Sequence, residues 1–444
     1  MRRRDPFAAL VMLALVLPAC RHPSAPVPLR RVILISIDTL RSDHLGAYGY
    51  ARPTSPRIDE LAKNGVLFER ATSPAPWTLP AHASLLTGLY PSHHGLRGSE
   101  VALPASIATI GTILTNQGFA TAAVVNSNYL SPVFGLDRGF QRFEYVKEGA
   151  AEREPSRAIT DRAIEWLQAA GDRRVFLFVH YYDVHSDYAS LPEYERRFVR
   201  PYAGNADGTT AQMMAVRAGR IVFDEADIQH VVDLYDAGIR QMDDELGRLL
   251  DAIGSRDDTL LVLVSDHGEE FFDHGGVLHG RTQFDELVRV PLILQGDGVP
   301  VGVRVTTTVS LIDVMPTILA AAGVTAPPGL DGLDLAPTWR GGVGLAERYL
   351  FHEADHNNAE PEMHRAVRHG NDKLHLYRLT GQVTLFDLGT DPGERTDVAA
   401  RRPEIAADLR AHLEGLTPTQ PQAARSVTLP PEQIEKLKAL GYAH

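Results

Sequence analysis

The run Arg31-Val32-Ile33-Leu34-Ile35-Ser36-Ile37-Asp38 is almost continuously apolar, is rich in β-branched residues and ends in a carboxylate. A strand without polar alternation is buried on both faces, which is typical of a parallel sheet covered by helices. Similar runs occur at 175–180, 260–265 and 290–294, and segments with helical spacing precede or separate them at 107–117, 159–170 and 226–253. We therefore predict an α/β fold with a large, mainly parallel sheet flanked by helices.

The pattern changes beyond the Pro- and Gly-rich segment 323–342. Three short runs alternate polar and apolar residues, at 365–368, 373–377 and 383–387. A helical pattern follows at 403–413, with Gly415 just past its end. They predict a small C-terminal antiparallel sheet plus a helix. We expect a catalytic α/β domain over 31–325 and a C-terminal subdomain and tail over 326–444. Segment 193–224 lacks a clear period and is expected to form surface loops.

The N-terminus has the features of an export signal. Three arginines at positions 2–4 precede an apolar run at 7–17, and Leu17-Pro18-Ala19-Cys20 resembles a bacterial lipobox. The run is shorter than the roughly 20 residues of a membrane span. We predict a lipoprotein signal peptide over 1–20, a Pro-rich tether over 21–30, and an exported bacterial lipoprotein anchored by lipid at the periplasmic face of a membrane. The alternative is a plain signal peptide with an incidental Cys20.

Composition excludes several classes of protein. The formal net charge is −12 and the sequence pI is near 5.8, which argues against a nucleic-acid partner. Cys20 is the single cysteine of the chain. The mature domain therefore has no disulfide, no thiolate metal site and no cysteine nucleophile.

Polar residues follow the apolar strands at their carboxyl ends, where ligand sites of such sheets lie. Asp38 follows the first run and Asp266-His267 follows another, while His180 and His185 flank Asp183. Carboxylates and imidazoles in this arrangement favour a metal-assisted site, with oxygen ligands suiting Mg, Ca or Mn and imidazole admitting Zn. Capping of helices and turns by these aspartates is the alternative.

A second stretch, from Pro76 to Gly88, runs from a loop into a short apolar segment predicted to be helical, and it places Thr78 at that junction. Free backbone N–H groups and the helix dipole favour an anion at such a point, so its hydroxyl can be a nucleophile for a phosphate-like or sulfate-like group. Threonine is equally a common helix N-cap. The local sequence leaves both interpretations open.

Together these motifs resemble the sulfatase family of the alkaline phosphatase superfamily. The resemblance runs from about residue 31 to about residue 400, and its motifs stand in the family's order; they are 35–41, 78–88, 265–269, 289–293, 385–388 and 391–394. Sulfatases convert the Cys or Ser of a Cys-x-Pro-x-Arg signature to formylglycine. Here the signature contains Thr78 and His82, so formylglycine cannot form. This pattern is similar to superfamily members that use a metal-bound Thr alkoxide on phosphate esters, such as phosphoglycerol and phosphoethanolamine transferases.

The resemblance implies roles for individual residues. Asp38, Asp266 and His267, with Thr78, would hold one divalent metal (Mn, Ca, Mg or Zn). Thr39 stands where sulfatases have a second Asp, and His279 where they often have an anion-holding Lys. The implied catalytic residues are Thr78, His82, His185 and His279, and the implied substrate-binding residues are Asn126, His180 and Arg281, with Asn128 and Arg41 as further candidates. His82 would either bond the transferring group or pack under Thr78. A second metal at Asp183, His185 and His279 is an open alternative.

We therefore expect an exported metal-dependent hydrolase or transferase acting on phosphate esters of an envelope lipid or glycan through Thr78. Sulfate-ester hydrolysis is one alternative, because the whole chain resembles a sulfatase. A degenerate protein that binds phosphorylated or sulfated glycans without turnover is the other, because fold resemblance alone does not establish activity.

Overall fold

The computed structural model describes residues 29–146, 155–255, 257–340, 344–354, 364–416 and 425–439. The predicted signal peptide and lipobox, and the tether up to residue 28, lie outside the described residues. Within the described residues, no helix combines the length and apolarity needed to cross a membrane.

The strands alternate with helices along most of the chain. The strands are β1 Arg31–Ile37, β2 Val66–Phe68, β3 Ala71–Thr72, β4 Val101–Ala102, β5 Ala120–Val125, β6 Arg142–Tyr145, β7 Val175–Tyr181, β8 Thr259–Ser265, β9 Glu270–Phe271, β10 Val277–Leu278, β11 Arg289–Val290, β12 Leu292–Gly296, β13 Val303–Val305, β14 Val309–Ser310, β15 Leu350–Glu353, β16 His364–His369, β17 Asp372–Tyr377, β18 Gln382–Asp387 and β19 Arg425–Ser426. The helices are α1 Pro56–Lys63, α2 Thr78–Thr87, α3 Pro91–His94, α4 Ile110–Asn116, α5 Pro155–Ala170, α6 Pro192–Phe198, α7 Thr210–Arg217, α8 Glu225–Ile253, α9 Asp285–Val288, α10 Val314–Ala321, α11 Pro403–Gly415 and α12 Pro431–Ala439.

Eight strands form the main sheet in the order β13-β2-β12-β8-β1-β7-β5-β6. Only β12 runs antiparallel to its neighbours in this sheet. Strand β1 is central and pairs in parallel with β7 and β8, so that Ile37 lies opposite Tyr181 and Ser265. This register brings the residues that follow β1 and β8, Asp38 and Asp266, to the same level at the carboxyl edge of the sheet.

Alternate residues of β1 enter two different hydrophobic layers. Val32 and Leu34 pack on the side of α2, α4 and α10, whereas Ile33 and Ile35 pack on the side of α1, α5 and α8. All four side chains are fully buried. Burial of each such side chain contributes about 1.5–3 kcal/mol, so the sheet edge that carries the polar residues rests on a rigid support. The predicted α/β fold with a mainly parallel, helix-covered sheet is confirmed.

The C-terminal sheet has four antiparallel strands, β15 to β18. Helix α11 covers it and contributes Leu409 and Leu413 to a small core with Val367, Leu374 and Leu385. The predicted small antiparallel sheet plus helix is confirmed, with β15 as a strand that the sequence analysis missed.

Two local expectations need correction. Segment 193–224 is not only loop, since α6 and α7 lie within or across it. The apolar run 290–294 is divided between β11 and β12 at Pro291, because proline has no N–H to donate to a sheet ladder. Its two halves pair in different sheets.

Candidate active site and metal centre

Thr78 is the first residue of α2, and its hydroxyl does not cap that helix. The N-cap position is Trp77, which makes no side-chain capping hydrogen bond. The Oγ1 atom of Thr78 instead lies 3.5 Å from Oδ2 of Asp38 and 3.5 Å from Nε2 of His267. The capping interpretation is therefore wrong, and the hydroxyl faces the carboxyl edge of the sheet.

Asp38, Asp266 and His267 form a compact, fully buried group. One ligand atom from each lies within 4.8 Å of the others. The Nδ1 atom of His267 is 2.9 Å from the carbonyl oxygen of Gly268. A proton donated from Nδ1 to this carbonyl leaves the Nε2 lone pair available to a metal.

Burial of these carboxylates is costly without a cation. Desolvation is the largest cause that raises the pKa of Asp266, and the charge of Asp38 raises it further. The Oδ1 atom of Asp266 accepts hydrogen bonds from the backbone N–H groups of His267 and Thr39, but its buried Oδ2 has no hydrogen-bond partner. Two oxygen donors and one imidazole around an unsatisfied buried oxygen fit a divalent metal.

Thr39 shapes this group through its backbone. Its φ of 54° lies in the left-handed region, which is rare for a β-branched residue. The turn aims its N–H at Asp266, at 3.3 Å, while its carbonyl accepts a hydrogen bond from the hydroxyl of Tyr235. The Thr39 side chain does not belong to the close group of ligand atoms.

His82 lies beneath Thr78 and is fully buried. Its Nδ1 is 2.9 Å from the carbonyl oxygen of Thr78, and its Nε2 is 3.0 Å from Oγ of Ser36. Burial, and next the nearby His180, hold the pKa of His82 well below its usual value. Both ring nitrogens have protein partners, which favours the packing possibility, and His82 Nδ1 also lies 3.4 Å from Oδ2 of Asp266.

His180 also contacts the carboxylate of Asp38. Its Nε2 is 3.2 Å from Oδ2 of Asp38, and burial lowers the pKa of His180 to about 3. A neutral imidazole donating this bond would orient the carboxylate. His180 therefore lies beside the metal-ligand group.

A second group of polar side chains borders the first. The ring centroid of His279 is 4.4 Å from that of His267 and 4.9 Å from that of His185. Glu269, which the sequence analysis did not single out, is fully buried and places Oε1 2.9 Å from Nδ1 of His279. The sequence signal that could have identified Glu269 is its position directly after Asp266-His267-Gly268, with His279 ten residues later.

His185 presents a nitrogen to this space. Its Nδ1 is 2.6 Å from the carbonyl oxygen of Ser186, whereas its buried Nε2 has no hydrogen-bond partner. The ring of Tyr182 stacks on it at 4.3 Å. Burial, followed by the charge of His279, lowers the pKa of His185 to about 4.

The remaining candidates occupy different surroundings. Asn126 follows β5 and is fully buried, with neither amide atom hydrogen-bonded. Asn128 accepts a hydrogen bond from Tyr145 through Oδ1. Arg281 lines a cleft of about 290 Å³ together with His279, so it stands where a ligand would approach from solvent.

The structure does not support the alternatives for Asp183 and Arg41. Asp183 accepts hydrogen bonds from the backbone N–H and hydroxyl of Ser156 at the start of α5. In the described part of the chain, only Asp38, Asp266 and His267 form a close group of three ligands. The guanidinium of Arg41 is held by Asp43 and Asp273, so it is not available as a phosphate clamp.

This combination of fold and buried carboxylate–imidazole site agrees with comparisons to known proteins. The family model described as Sulfatase matches residues 30–324, and a model described as N-sulphoglucosamine sulphohydrolase, C-terminal, matches residues 272–418. The chain belongs to the sulfatase family of the alkaline phosphatase superfamily, whose members are metal-dependent, and it is an ester hydrolase of the sulfuric or phosphoric type.

Three similar proteins illustrate the range of that family. The chain is 26% identical to the uncharacterized sulfatase YidJ of Escherichia coli strain K12, over 82% of this chain and 81% of the other. It is 24% identical to a Delta 4,5-hexuronate-2-O-sulfatase of Bacteroides thetaiotaomicron, over 86% and 87%. The structure of a phosphonate monoester hydrolase of Agrobacterium radiobacter superposes with a TM-score of 0.72 at 22% identity, covering 88% of this chain and 95% of that one.

Proposed function

We propose that this protein transfers or hydrolyses a phosphate ester through Thr78, with one divalent metal held by Asp38, Asp266 and His267. The observation that carries the proposal is the position of Thr78 Oγ1, which lies 3.5 Å from both Asp38 and His267 and does not cap its helix. A threonine cannot become formylglycine, so the hydroxyl itself is the available nucleophile.

A bound divalent metal would supply Lewis-acid stabilisation of charge on the ester oxygens and would lower the pKa of a coordinated hydroxyl. The chain's own residues carry the other functions. Thr78 Oγ1 forms the bond to phosphorus, and its proton has a carboxylate acceptor in Oδ2 of Asp38. The ester P–O bond breaks, and the leaving oxygen takes a proton from the imidazole of His279, whose Nδ1 bonds Glu269. Water or an acceptor alcohol then attacks phosphorus and loses its proton to His279, the bond between phosphorus and Thr78 Oγ1 breaks, and Oγ1 recovers its proton from Asp38.

The substrate side of the site suits an anionic ester. Asn126 offers two unsatisfied amide atoms, and His279 and Arg281 line the cleft at the approach. Related proteins include one named for a sulfated hexuronate and one for phosphonate monoesters. We propose a phosphodiester or phosphomonoester of a lipid or glycan as the substrate class.

We also propose that the protein is exported and anchored to the periplasmic face of a membrane. The basic residues at 2–4, the apolar run 7–17 and the sequence Leu17-Pro18-Ala19-Cys20 support this. Labelling with a radioactive fatty acid tests it. Cys20→Ser should abolish labelling, while unchanged labelling would contradict a lipobox.

The proposed chemistry is tested on purified protein loaded with Mn, Zn, Mg or Ca. Aryl phosphodiester, aryl phosphomonoester and aryl sulfate are assayed with wild type, Thr78→Ala and Thr87→Ala. Thr87 belongs to the same helix, and its hydroxyl donates to the backbone carbonyl oxygen of Ala83 one turn earlier, so it is the matched control. We expect Thr78→Ala to lose phosphate-ester turnover by about 10³-fold or more and Thr87→Ala to retain it.

Two results would contradict this proposal. Full turnover by Thr78→Ala would exclude the nucleophile, and cleavage of the sulfate ester alone would favour the sulfuric-ester alternative. Elemental analysis without any metal, combined with tight glycan binding and no turnover, would favour a degenerate binding protein. The buried set of candidate metal ligands and the adjacent Thr78 hydroxyl argue for an enzyme, since a site that only binds glycans needs neither.

A further inference from the structure

A second polar cleft lies between the edge of the main sheet and the C-terminal sheet. It encloses about 380 Å³ and is lined on one side by Arg70 and residues 306–308, and on the other by residues around Arg368 and Asn371. Strand β2 ends two residues before Arg70, and strand β13 ends immediately before residue 306. Because β2 runs in the same direction as β8, this cleft lies at the same edge of the sheet as Asp266. At the usual strand spacing, β2 is about 14 Å from β1 across the sheet.

Arg368 is an unusual buried cation. It is 3% exposed, and its one hydrogen bond goes from Nε to the carbonyl oxygen of Gly370, at 2.9 Å. Among the described residues, no carboxylate lies within ion-pairing distance of its guanidinium. Asp285 and Glu394 attract it from farther away, and both also contact the single ammonium of Lys373, so their attraction offsets only part of the cost of burying Arg368. A buried guanidinium rarely lacks a close acidic partner, since its desolvation is then uncompensated.

Arg70 adds a second cation to the same cleft. Its Nε donates to the carbonyl oxygen of Thr306 at 2.8 Å, and its Nη1 donates to Oδ1 of Asn371 at 3.3 Å. In the described ranges it has no ion-pair partner either. Both arginines line the same cleft, and burial, with the charge of Arg70 as a smaller cause, lowers the pKa of Arg368.

The other charged groups of the cleft do not neutralise this pair. Arg348 is bound to Asp313 on the far side of the lining. The carboxylate of Glu347 lines the cleft without an ion pair to any described arginine. The hydroxyl groups of residues 306–308 and the amide of Asn371 are neutral hydrogen-bonding groups. The cleft thus has two guanidiniums without a carboxylate at ion-pairing distance, with one free carboxylate and several neutral hydrogen-bonding groups around them.

We infer that this cleft binds a tetrahedral oxyanion, a phosphate or sulfate ester group, between Arg70 and Arg368. Guanidinium groups form bidentate, charge-assisted hydrogen bonds to such anions. The anion would neutralise the two mutually repelling cations, and the hydroxyl and amide groups together with Glu347 would bond hydroxyls of the molecule that carries it. The site is separate from the metal group and does not depend on the chemistry proposed for Thr78.

Calorimetric titration of the full metal-loaded protein tests this site. Inorganic phosphate and inorganic sulfate are titrated into wild type, Arg70→Gln, Arg368→Gln and Arg304→Gln. Arg304 is an exposed neighbour on β13 that pairs with Glu69, so Arg304→Gln controls for the loss of one nearby positive charge. We expect one class of anion sites to weaken about tenfold or more in Arg70→Gln and Arg368→Gln, and to remain in Arg304→Gln.

Arg70 is half-buried at the cleft wall, so Arg70→Gln decides the question if Arg368→Gln fails to fold. Identical isotherms for Arg70→Gln and wild type would overturn the inference, as would anion binding that disappears entirely on metal removal. A selenate soak with anomalous diffraction should place a peak between the two guanidiniums. Titration with glucose 6-phosphate and glucose 6-sulfate then assigns the source, since tighter binding of one ester identifies the group that the cleft accepts.

Discussion

The hydroxyl oxygen of Thr78 lies 3.5 Å from Oδ2 of Asp38, although the two residues are 40 positions apart and belong to different elements. Asp38 is carried by the end of β1 and Thr78 by the start of α2. His180 and His267 hold the same carboxylate from two other strand ends, at 3.2 Å and 3.6 Å. The Thr78 hydroxyl thus lies beside the candidate metal ligands at the carboxyl edge of the sheet, which is the position that a metal-assisted nucleophile requires.

Metal binding should depend on Asp266. We expect Mn or Zn to raise the melting temperature of the wild type, by an amount equivalent to about 2.7 kcal/mol when the free metal is a hundred times its dissociation constant. In Asp266→Asn the shift should nearly vanish, because one of the two buried anionic ligands is lost. Asp243→Asn is the control, since Asp243 is also buried but accepts two backbone hydrogen bonds outside the site. Equal increases in melting temperature on metal addition in Asp266→Asn and wild type would exclude the proposed ligand set.

Glu269 should act by positioning His279. Glu269→Gln keeps the shape of the side chain but removes the carboxyl group, whose pKa burial raises to about 7, as the partner of His279 Nδ1, so we expect kcat to fall about tenfold or more. If this pair delivers the proton to the leaving oxygen, the loss should be larger for alkyl esters than for 4-nitrophenyl esters. Glu270→Gln, in which the neighbouring glutamate that bonds Gly276 is changed, should retain most of the rate. An equal loss with both kinds of leaving group would indicate a structural role alone.

The buried amine of Lys373 should be essential for joining the C-terminal sheet to the rest of the fold. Its Nζ is 2.7 Å from Asp285 and 3.0 Å from Glu394, and the side chain is fully buried. Lys373→Met leaves two buried carboxylates without their cation, so we expect a loss of about 3 kcal/mol or more in urea unfolding. Lys63→Met, at an exposed position on α1, should change the free energy by less than about 0.5 kcal/mol. A comparably small effect at Lys373 would show that the carboxylates are neutral in the fold.

Acid should destabilise the protein partly through His94. This residue is fully buried between Ser84 and the backbone N–H of Leu96, and burial lowers its pKa to about 3. The unfolded chain takes up a proton at this histidine below about pH 6.5, whereas the folded protein does not until about pH 3, so stability falls as the pH is lowered between these values. The expected contribution is about 1.4 kcal/mol per pH unit. His94→Gln should therefore show a shallower dependence of its urea midpoint from pH 6.5 to pH 4; parallel curves would contradict this.

The fold was largely predictable because its signals are local. Unbroken apolar runs identified β1, β7 and β8, and helical spacing identified α5 and α8. Segment 193–224 was misjudged because α6 and α7 are short and have little buried surface to impose a period. Strand β15 was missed because four residues carry too little alternation to stand out.

The site was predictable only in part. The resemblance supplied Asp38, Asp266 and His267, and the structure places them together. Glu269 and Ser36 were missed, because their partners, His279 and His82, lie 10 and 46 positions away and nothing in a linear pattern pairs them. The role of His82 was left undecided for the same reason.

Some properties of this protein follow from the order of its residues alone. A threonine at position 78 and a single cysteine at position 20 exclude formylglycine, because that group forms only from a cysteine or serine at the nucleophile position. The alternation of apolar strands and helices defines the fold, because burial on both faces of a sheet demands it. Whether Thr78 caps a helix or faces the candidate metal ligands Asp38, Asp266 and His267 was decided only by strand pairing. Hydrogen bonds between β1, β7 and β8 bring three strand ends to one level, and only there do distant carboxylates and imidazoles share one dry space.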